Sequence, residues 1–219
     1  MRFVCLPVVF AAAVLAVPSV ARAGDPPIGL QAFAAIDFNS FAASKTYKAI
    51  FGSSTIPGFG GGADITGLGT KNLFVRVAFT RVSKTGSRVF VNGTDVFKLN
   101  NEPAKLSLTP IEIGAGWHFL IKGSKLTPYA GGGVLIEQYK VDYATSSDLN
   151  ESQTFTGGDI FGGVQYAITK VLILGGEAQF RILPNALKSD LASSAANAYG
   201  ETQGGGFTGR ITIGVKFGK

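Results

Sequence analysis

The sequence predicts an all-β, eight-stranded antiparallel up-and-down transmembrane β-barrel with long extracellular loops. Three observations lead there. Charged residues make up only 16% of the 219, against roughly 25% in soluble domains. Glycines number 30. Apolar side chains alternate with polar or small ones in eight separate segments, the two-residue repeat of a strand with unlike faces. A chain this long can hold one domain with a real core. A disordered chain would be more polar. The glycines lack the three-residue period of collagen, and a soluble enzyme would usually carry more charge and more than the single histidine present here.

The first 23 residues are read separately. Arg2 provides a positive start, Phe3 to Val17 form an apolar stretch broken by Pro7, and Ala21-Arg22-Ala23 is a small-x-small cleavage site. The stretch is shorter than the roughly 20 residues of a spanning helix. Residues 1–23 are therefore expected to be a cleaved signal peptide, leaving 24–219 as a single barrel domain. The one cysteine, Cys5, leaves with that peptide. No disulfide, thiolate metal site or cysteine nucleophile is expected in the mature chain. Loss of Arg2 and Arg22 takes the formal charge from +6 to +4, with no basic run of the kind that grips nucleic acid.

The strands follow in order, each read from the amino-acid alternation. In 29–39, Leu30, Ala32, Ala34, Ile36 and Phe38 alternate with positions that include Gln31, Asp37 and Asn39. In 59–66, Phe59, Ala63 and Ile65 alternate with Gly60, Gly62, Asp64 and Thr66. In 73–82, Leu73, Val75, Val77 and Phe79 oppose Phe74, Arg76, Ala78 and Thr80. In 111–119, Ile111, Ile113, Ala115, Trp117 and Phe119 oppose Glu112, Gly114, Gly116 and His118. In 129–141, Ala130, Val134 and Ile136 oppose Tyr129, Glu137 and Tyr139. In 157–166, Ile160, Val164 and Tyr166 oppose Asp159, Phe161, Gly163 and Gln165. In 171–181, Leu172, Leu174, Ala178 and Phe180 oppose Ile173, Gly175, Glu177, Gln179 and Arg181. In 207–217, Ile211, Ile213, Val215 and Phe217 oppose Thr208, Arg210, Thr212 and Lys216.

The connections alternate in length. Residues 67–72, 122–126 and 168–170 are short turns, whereas 39–58, 83–105, 142–154 and 184–206 are long and polar. Short turns at one end and long loops at the other are the pattern of an outer-membrane barrel. A soluble barrel would turn its apolar face inward to a ligand. Two features favour the membrane. The polar face is rich in glycine (Gly60, Gly62, Gly114, Gly116, Gly163, Gly175), which makes room in a narrow lumen. Aromatic residues Tyr166, Trp117, Phe119, Phe180 and Phe217 stand near strand ends on the apolar face, where an interfacial girdle belongs.

On the glycine-rich strands 58–62 and 128–133 and the alternating final strand 211–217, the chain resembles the bacterial outer-membrane β-barrel domain family. Within it, the resemblance is to the small eight-stranded group that includes opacity-type, porin-like proteins. It covers the whole mature chain. It implies a monomer in the outer membrane of a Gram-negative cell, in contact with outer-membrane lipid and lipopolysaccharide and folded by the barrel-assembly machinery. Members usually end on an aromatic residue that this machinery reads; here Gly218 and Lys219 follow Phe217. Members range from anchors and adhesins to narrow pores and lipid-modifying enzymes, so the family does not choose a function.

In the first long loop, Ser44 to Phe51 can form a short amphipathic helix closed by Gly52. Tyr47, Ile50 and Phe51 then share one face, as a lid over the barrel mouth. Arg88 to Lys98 reads as a hairpin turning at Asn92-Gly93 and extending two strands beyond the membrane. Residues 184–206, rich in Ala, Ser and Gly, read as a mobile loop.

No catalytic residue, metal site or cofactor is expected. A serine acyl-transfer site needs a histidine base beside the nucleophile. The single histidine, His118, is placed near the short-turn end, with leucine at 120. The glycine clusters lack the lysine and following helix of a phosphate loop. What remains is charge on the inward faces. An eight-stranded interior is just wide enough for side chains, and an unpaired buried charge costs several kcal/mol. Arg76, Glu112, Glu137, Glu177 and Arg210 are therefore expected to form an ion-pair network. As a plug it would make the protein a non-enzymatic anchor or surface-interaction protein. As a gate with exchangeable pairs it would make a narrow pore for ions or small solutes. An outer-leaflet lipid enzyme is the most distant reading.

Overall fold

The structure, a computed structural model, describes residues 28–92, 95–144, 148, 150–184, 186–187 and 192–217. The segment read as a signal peptide, the tip of the Asn92-Gly93 hairpin, and Gly218 and Lys219 lie outside them. Eight strands follow one another: β1 (Gly29–Phe41), β2 (Thr55–Thr66), β3 (Leu73–Asn92), β4 (Asp95–His118), β5 (Leu126–Tyr143), β6 (Glu151–Ala167), β7 (Leu172–Leu183) and β8 (Gly204–Phe217). Each pairs antiparallel with the next, and β8 returns to β1 with Leu30 opposite Phe217. The barrel is closed, which satisfies every strand edge internally, as hydrocarbon requires.

Two eight-residue helices lie among the loops, α1 (Ser44–Phe51) and α2 (Ala192–Tyr199). No described helix is long and apolar enough to cross a membrane; the strands do that here. Their outward face is apolar over one band. On β3 it runs through Val75, Val77 and Phe79, on β4 through Ile111, Ile113, Ala115 and Trp117, and on β8 from Phe207 to Phe217. Aromatic rings edge the band at the turn end (Trp117, Phe119, Tyr166, Phe217) and at the loop end (Phe38, Phe59, Phe79, Phe180, Phe207), all exposed.

Past that band β3, β4 and β5 continue, and their facing inverts. Outward positions become Arg81, Ser83 and Thr85 on β3, Lys105, Ser107 and Thr109 on β4, and Gln138, Lys140 and Asp142 on β5. Inward positions become Val82, Leu106, Leu108, Tyr139, Val141 and Tyr143, all buried. Water replaces lipid outside, so the burial rule for a soluble sheet applies there. Residues 83–105, read in sequence as one long loop around a hairpin, are thus mostly continuous strand. The β3–β4 register shifts between Ser87 and Val89. Beyond that shift Val89, Val91 and Val96 pack against the loop-end core, whereas Phe90 and Phe97 face solvent.

One loop expectation is corrected over residues 192–199. Residues 184–206 were expected to form a mobile loop, but α2 forms within them, and Ala195 and Ala196 are completely buried. Alanine is the best intrinsic helix former, and its small side chain lets α2 lie close against the cap. At the turn end, 67–72 uses Gly67 and Gly69 at φ of 81° and 75°, a left-handed backbone that glycine adopts without steric cost.

Inside the membrane band, glycine opposes aromatic rings. A Cβ on Gly116 would stand 2.4 Å from the Phe74 ring, and one on Gly131 2.5 Å from the Phe161 ring. Gly176 and Gly209 have open space around that position. Gly116→Ala and Gly131→Ala are expected to destabilise the barrel by about 1–3 kcal/mol through overpacking, whereas Gly176→Ala should be neutral. Heat-modifiable gel mobility after refolding in detergent measures the difference.

Candidate functional site

The inside of the barrel is filled in three layers. The middle layer is ionic. Arg76 on β3 lies directly across from Asp64 on β2 in the register. Its Nε donates to Asp64 Oδ1 at 2.8 Å and its Nη2 to Asp64 Oδ2 at 3.0 Å. Arg210 on β8 repeats the arrangement with Asp37 on β1, donating from Nε at 2.8 Å and from Nη2 at 3.1 Å. These are two-pronged pairs, the geometry in which a guanidinium best matches a carboxylate.

The two arginines are joined across the lumen. Glu177 on β7 accepts from Arg76 Nη1 through Oε2 and from Arg210 Nη1 through Oε1, the latter at 3.1 Å. Glu112 on β4 accepts from Arg210 Nη1 at 3.2 Å and stands 3.8 Å from Arg76 Nη1. Tyr129 donates to Glu177 at 2.8 Å, and Gln179 donates to Glu112 at 2.7 Å. Arg181 adds a third cation, donating to Asn39 at 3.0 Å and Gln179 at 2.8 Å, with Asp37 at 3.5 Å. Arg76, Arg210 and their four carboxylate partners are all buried.

Of the five residues expected in the network, the structure brings Arg76, Glu112, Glu177 and Arg210 together. Glu137 stands apart. It is buried nearer the loops, where its electrostatic neighbours are Arg181 and the Tyr47 hydroxyl, and no described cation lies within ion-pair distance of it. Two members were missed, Asp37 and Asp64. Both lie on the polar faces of their strands, and cross-strand register supplies their arginine partners. Asp159 on β6 is also buried, and neither of its carboxylate oxygens has a hydrogen-bond partner among the described residues.

The layer toward the turns is aromatic. Phe74, Tyr129 and Phe161 cluster below the ion pairs. The Arg76 guanidinium carbon is 4.7 Å from the Phe161 ring centre and 5.3 to 5.5 Å from those of Phe33, Phe74 and Tyr129, within cation–π range. His118 lies against this cluster, its ring 4.5 Å from Phe74 and 5.9 Å from Tyr129. It is at the turn end of β4.

The layer toward the loops is the apolar cap. Tyr47, Ile50 and Phe51, the three side chains read as a lid, project from α1 into one cluster with Ile56, Val82, Leu106, Leu108, Tyr139 and Val141. Phe41 and Tyr47 stack face to face at 4.1 Å. Burial pushes the Tyr47 hydroxyl far above its usual range, so it stays protonated. The N-terminus of α1 has no local side-chain cap. Glu201 supplies one from the last loop, accepting from the Lys45 N–H at 3.1 Å, the Thr46 N–H at 2.9 Å and the Thr46 hydroxyl at 3.0 Å. A carboxylate there also opposes the helix dipole favourably. Sequence spacing carries no signal for this contact, because 155 residues separate Thr46 from Glu201. Among the described residues no group of histidine, cysteine and carboxylates is placed to hold a metal ion.

No family model matches the chain, and no curated protein does. Among solved structures it is similar to the outer membrane protein OprG from Pseudomonas aeruginosa. The TM-score is 0.54 at 13% identity, over 88% of this chain and 96% of that one. Neisserial surface protein A aligns over 86% of this chain and 95% of its own, at 19% identity and a TM-score of 0.48. The attachment invasion locus protein Ail of Yersinia pestis aligns over 88% and 99%, at 11% identity and 0.48. At such identities the likeness concerns fold, and OprG carries it. A closed antiparallel ring of eight strands with an apolar waist, short turns and long loops is the fold of the small outer-membrane β-barrels.

Removing one partner of a buried ion pair leaves the other charge uncompensated, at about 3–5 kcal/mol. Arg76→Met and Glu177→Gln are expected to lose stability on that scale. Asp159→Asn removes a carboxylate with no hydrogen-bond partner among the described residues and should be neutral or stabilising. Urea titrations in detergent, followed by fluorescence of Trp117, the single tryptophan, distinguish the two outcomes.

Proposed function

We propose that this protein is a non-enzymatic outer-membrane barrel that anchors a folded platform at the cell surface, where its loops meet a partner. One observation supports this above the others: the loop end is a packed core. Both helices and three prolonged strands bury aromatic and aliphatic side chains against one another, and Glu201 ties the last loop to the first helix. A loop serving only to connect strands needs no such core. In this reading the loop end is extracellular. Outer-membrane lipid and lipopolysaccharide surround the apolar waist of a monomer, and the barrel-assembly machinery inserts it.

The lumen fits a plug better than a passage. The ion-pair layer and the cap lie in series along one axis, so conduction would require both to open together. A lipid-modifying activity is not favoured, because His118 lies at the opposite end of the barrel from the loops and is packed among aromatic rings.

The refolded mature chain should be silent in a planar bilayer. Glu201→Ala should raise hydrogen exchange in α1 without opening a conductance, because the ion pairs below remain intact. Arg76→Gln combined with Arg210→Gln should lower stability and leave the barrel silent. Discrete conductance steps that change with Glu112→Gln would instead establish a gated pore.

A further inference from the structure

A chamber of about 170 Å3 opens at the turn end of the lumen, apart from the ion pairs. Gln31 on β1, His118 on β4 and Gln165 on β6 line it, with Lys71 from the β2–β3 turn and Lys216 from β8. The first three side chains are only 4, 6 and 4% exposed. Even so, Gln31 Oε1, His118 Nε2 and Gln165 Oε1 have no hydrogen-bond partner among the described residues. Buried polar atoms are almost always paired, and each exception calls for a cause. Here three exceptions from three different strands border one cavity that has room for several water molecules.

The lining narrows the chemistry. An amide exchanges its oxygen and nitrogen on a half-turn, so each glutamine can offer N–H donors, and the imidazole can carry its proton on Nε2. Lys71 and Lys216 are exposed at the rim, and among the described residues no aspartate or glutamate lines the chamber. All these groups can donate, and the charged ones are cationic. The aromatic cluster of Phe74, Tyr129 and Phe161 lies behind the chamber, with Phe74 and Tyr129 packed against the ring of the lining residue His118.

We propose that this chamber is a binding site for a small oxyanion, a phosphate or carboxylate group, entering from the turn end. The rim lysines attract the anion, and the two glutamine amides and His118 Nε2–H hydrogen-bond its oxygens.

The test uses the full mature chain folded in detergent, with NMR signals of the glutamine side-chain amides and the histidine ring as the readout. Inorganic phosphate and acetate are titrated separately, with chloride at equal ionic strength as the control. Saturable shifts of Gln31, Gln165 and His118 are expected with at least one oxyanion and not with chloride. A charged hydrogen bond removed from an oxyanion weakens binding about tenfold, which is the expected effect of Lys216→Met and of Gln165→Leu. Lys71→Met, on an exposed turn, provides a variant that leaves the barrel interior untouched. No saturable shift with either oxyanion overturns the proposal. So does unchanged affinity in the variants that fold, with folding checked by gel mobility.

Discussion

A guanidinium inside an eight-stranded barrel has no bulk water to face, and the membrane half of this protein is organised around that constraint. Arg76 meets it with a two-pronged aspartate, a shared glutamate and four aromatic rings. Arg210 meets it with Asp37, the same Glu177, and Glu112, which also stands within ion-pair distance of Arg76. Because both glutamates are shared, the two pairs form one unit that spans β1 to β4 with β7 and β8. Replacing such a unit by apolar packing is often no less stable. Its value here lies in register: a strand slipped by one residue would turn these charges toward lipid.

The loop end is governed by the opposite solvent. Where the strands leave the membrane, their outer faces turn polar and their inner faces apolar, and the core becomes that of a small soluble domain. The cap needs that change, because Tyr47, Ile50 and Phe51 would find no apolar surface over a polar lumen. The carboxylate of Glu201 then fixes α1 from the far end of the sequence. Two kinds of interior, ionic below and oily above, thus occupy one continuous barrel.

The strands and their facing were legible in the sequence because lipid on one side and a packed lumen on the other impose an unbroken two-residue alternation. Parity told which residues point inward, but not at what height. Glu112, Glu137 and Glu177 all point inward, yet strand stagger puts Glu137 nearer the loops and the other two between the arginines. Asp64 stood on its polar face in plain view, and only the pairing of β2 with β3 shows that Arg76 faces it. The reversal of facing was written at Thr109-Pro110, where inward Leu106 and Leu108 give way to outward Ile111 and Ile113. It lies between the loop read over 83–105 and the strand read over 111–119, so neither of those readings covers it. The second helix was illegible for another reason: a run of alanine and serine has too little contrast between faces to announce one.

The reversal of facing also acts as a ruler. Below it the outer surface seeks hydrocarbon, and above it Arg81, Lys105, Lys140 and their neighbours seek water. The barrel can therefore neither sink nor rise without exposing the wrong surface, and a bilayer of different thickness must deform around it. Mismatch of this kind costs fractions of a kcal/mol per Å and sorts proteins among membranes. The height of the capped platform above the lipid is thereby set by the strands themselves.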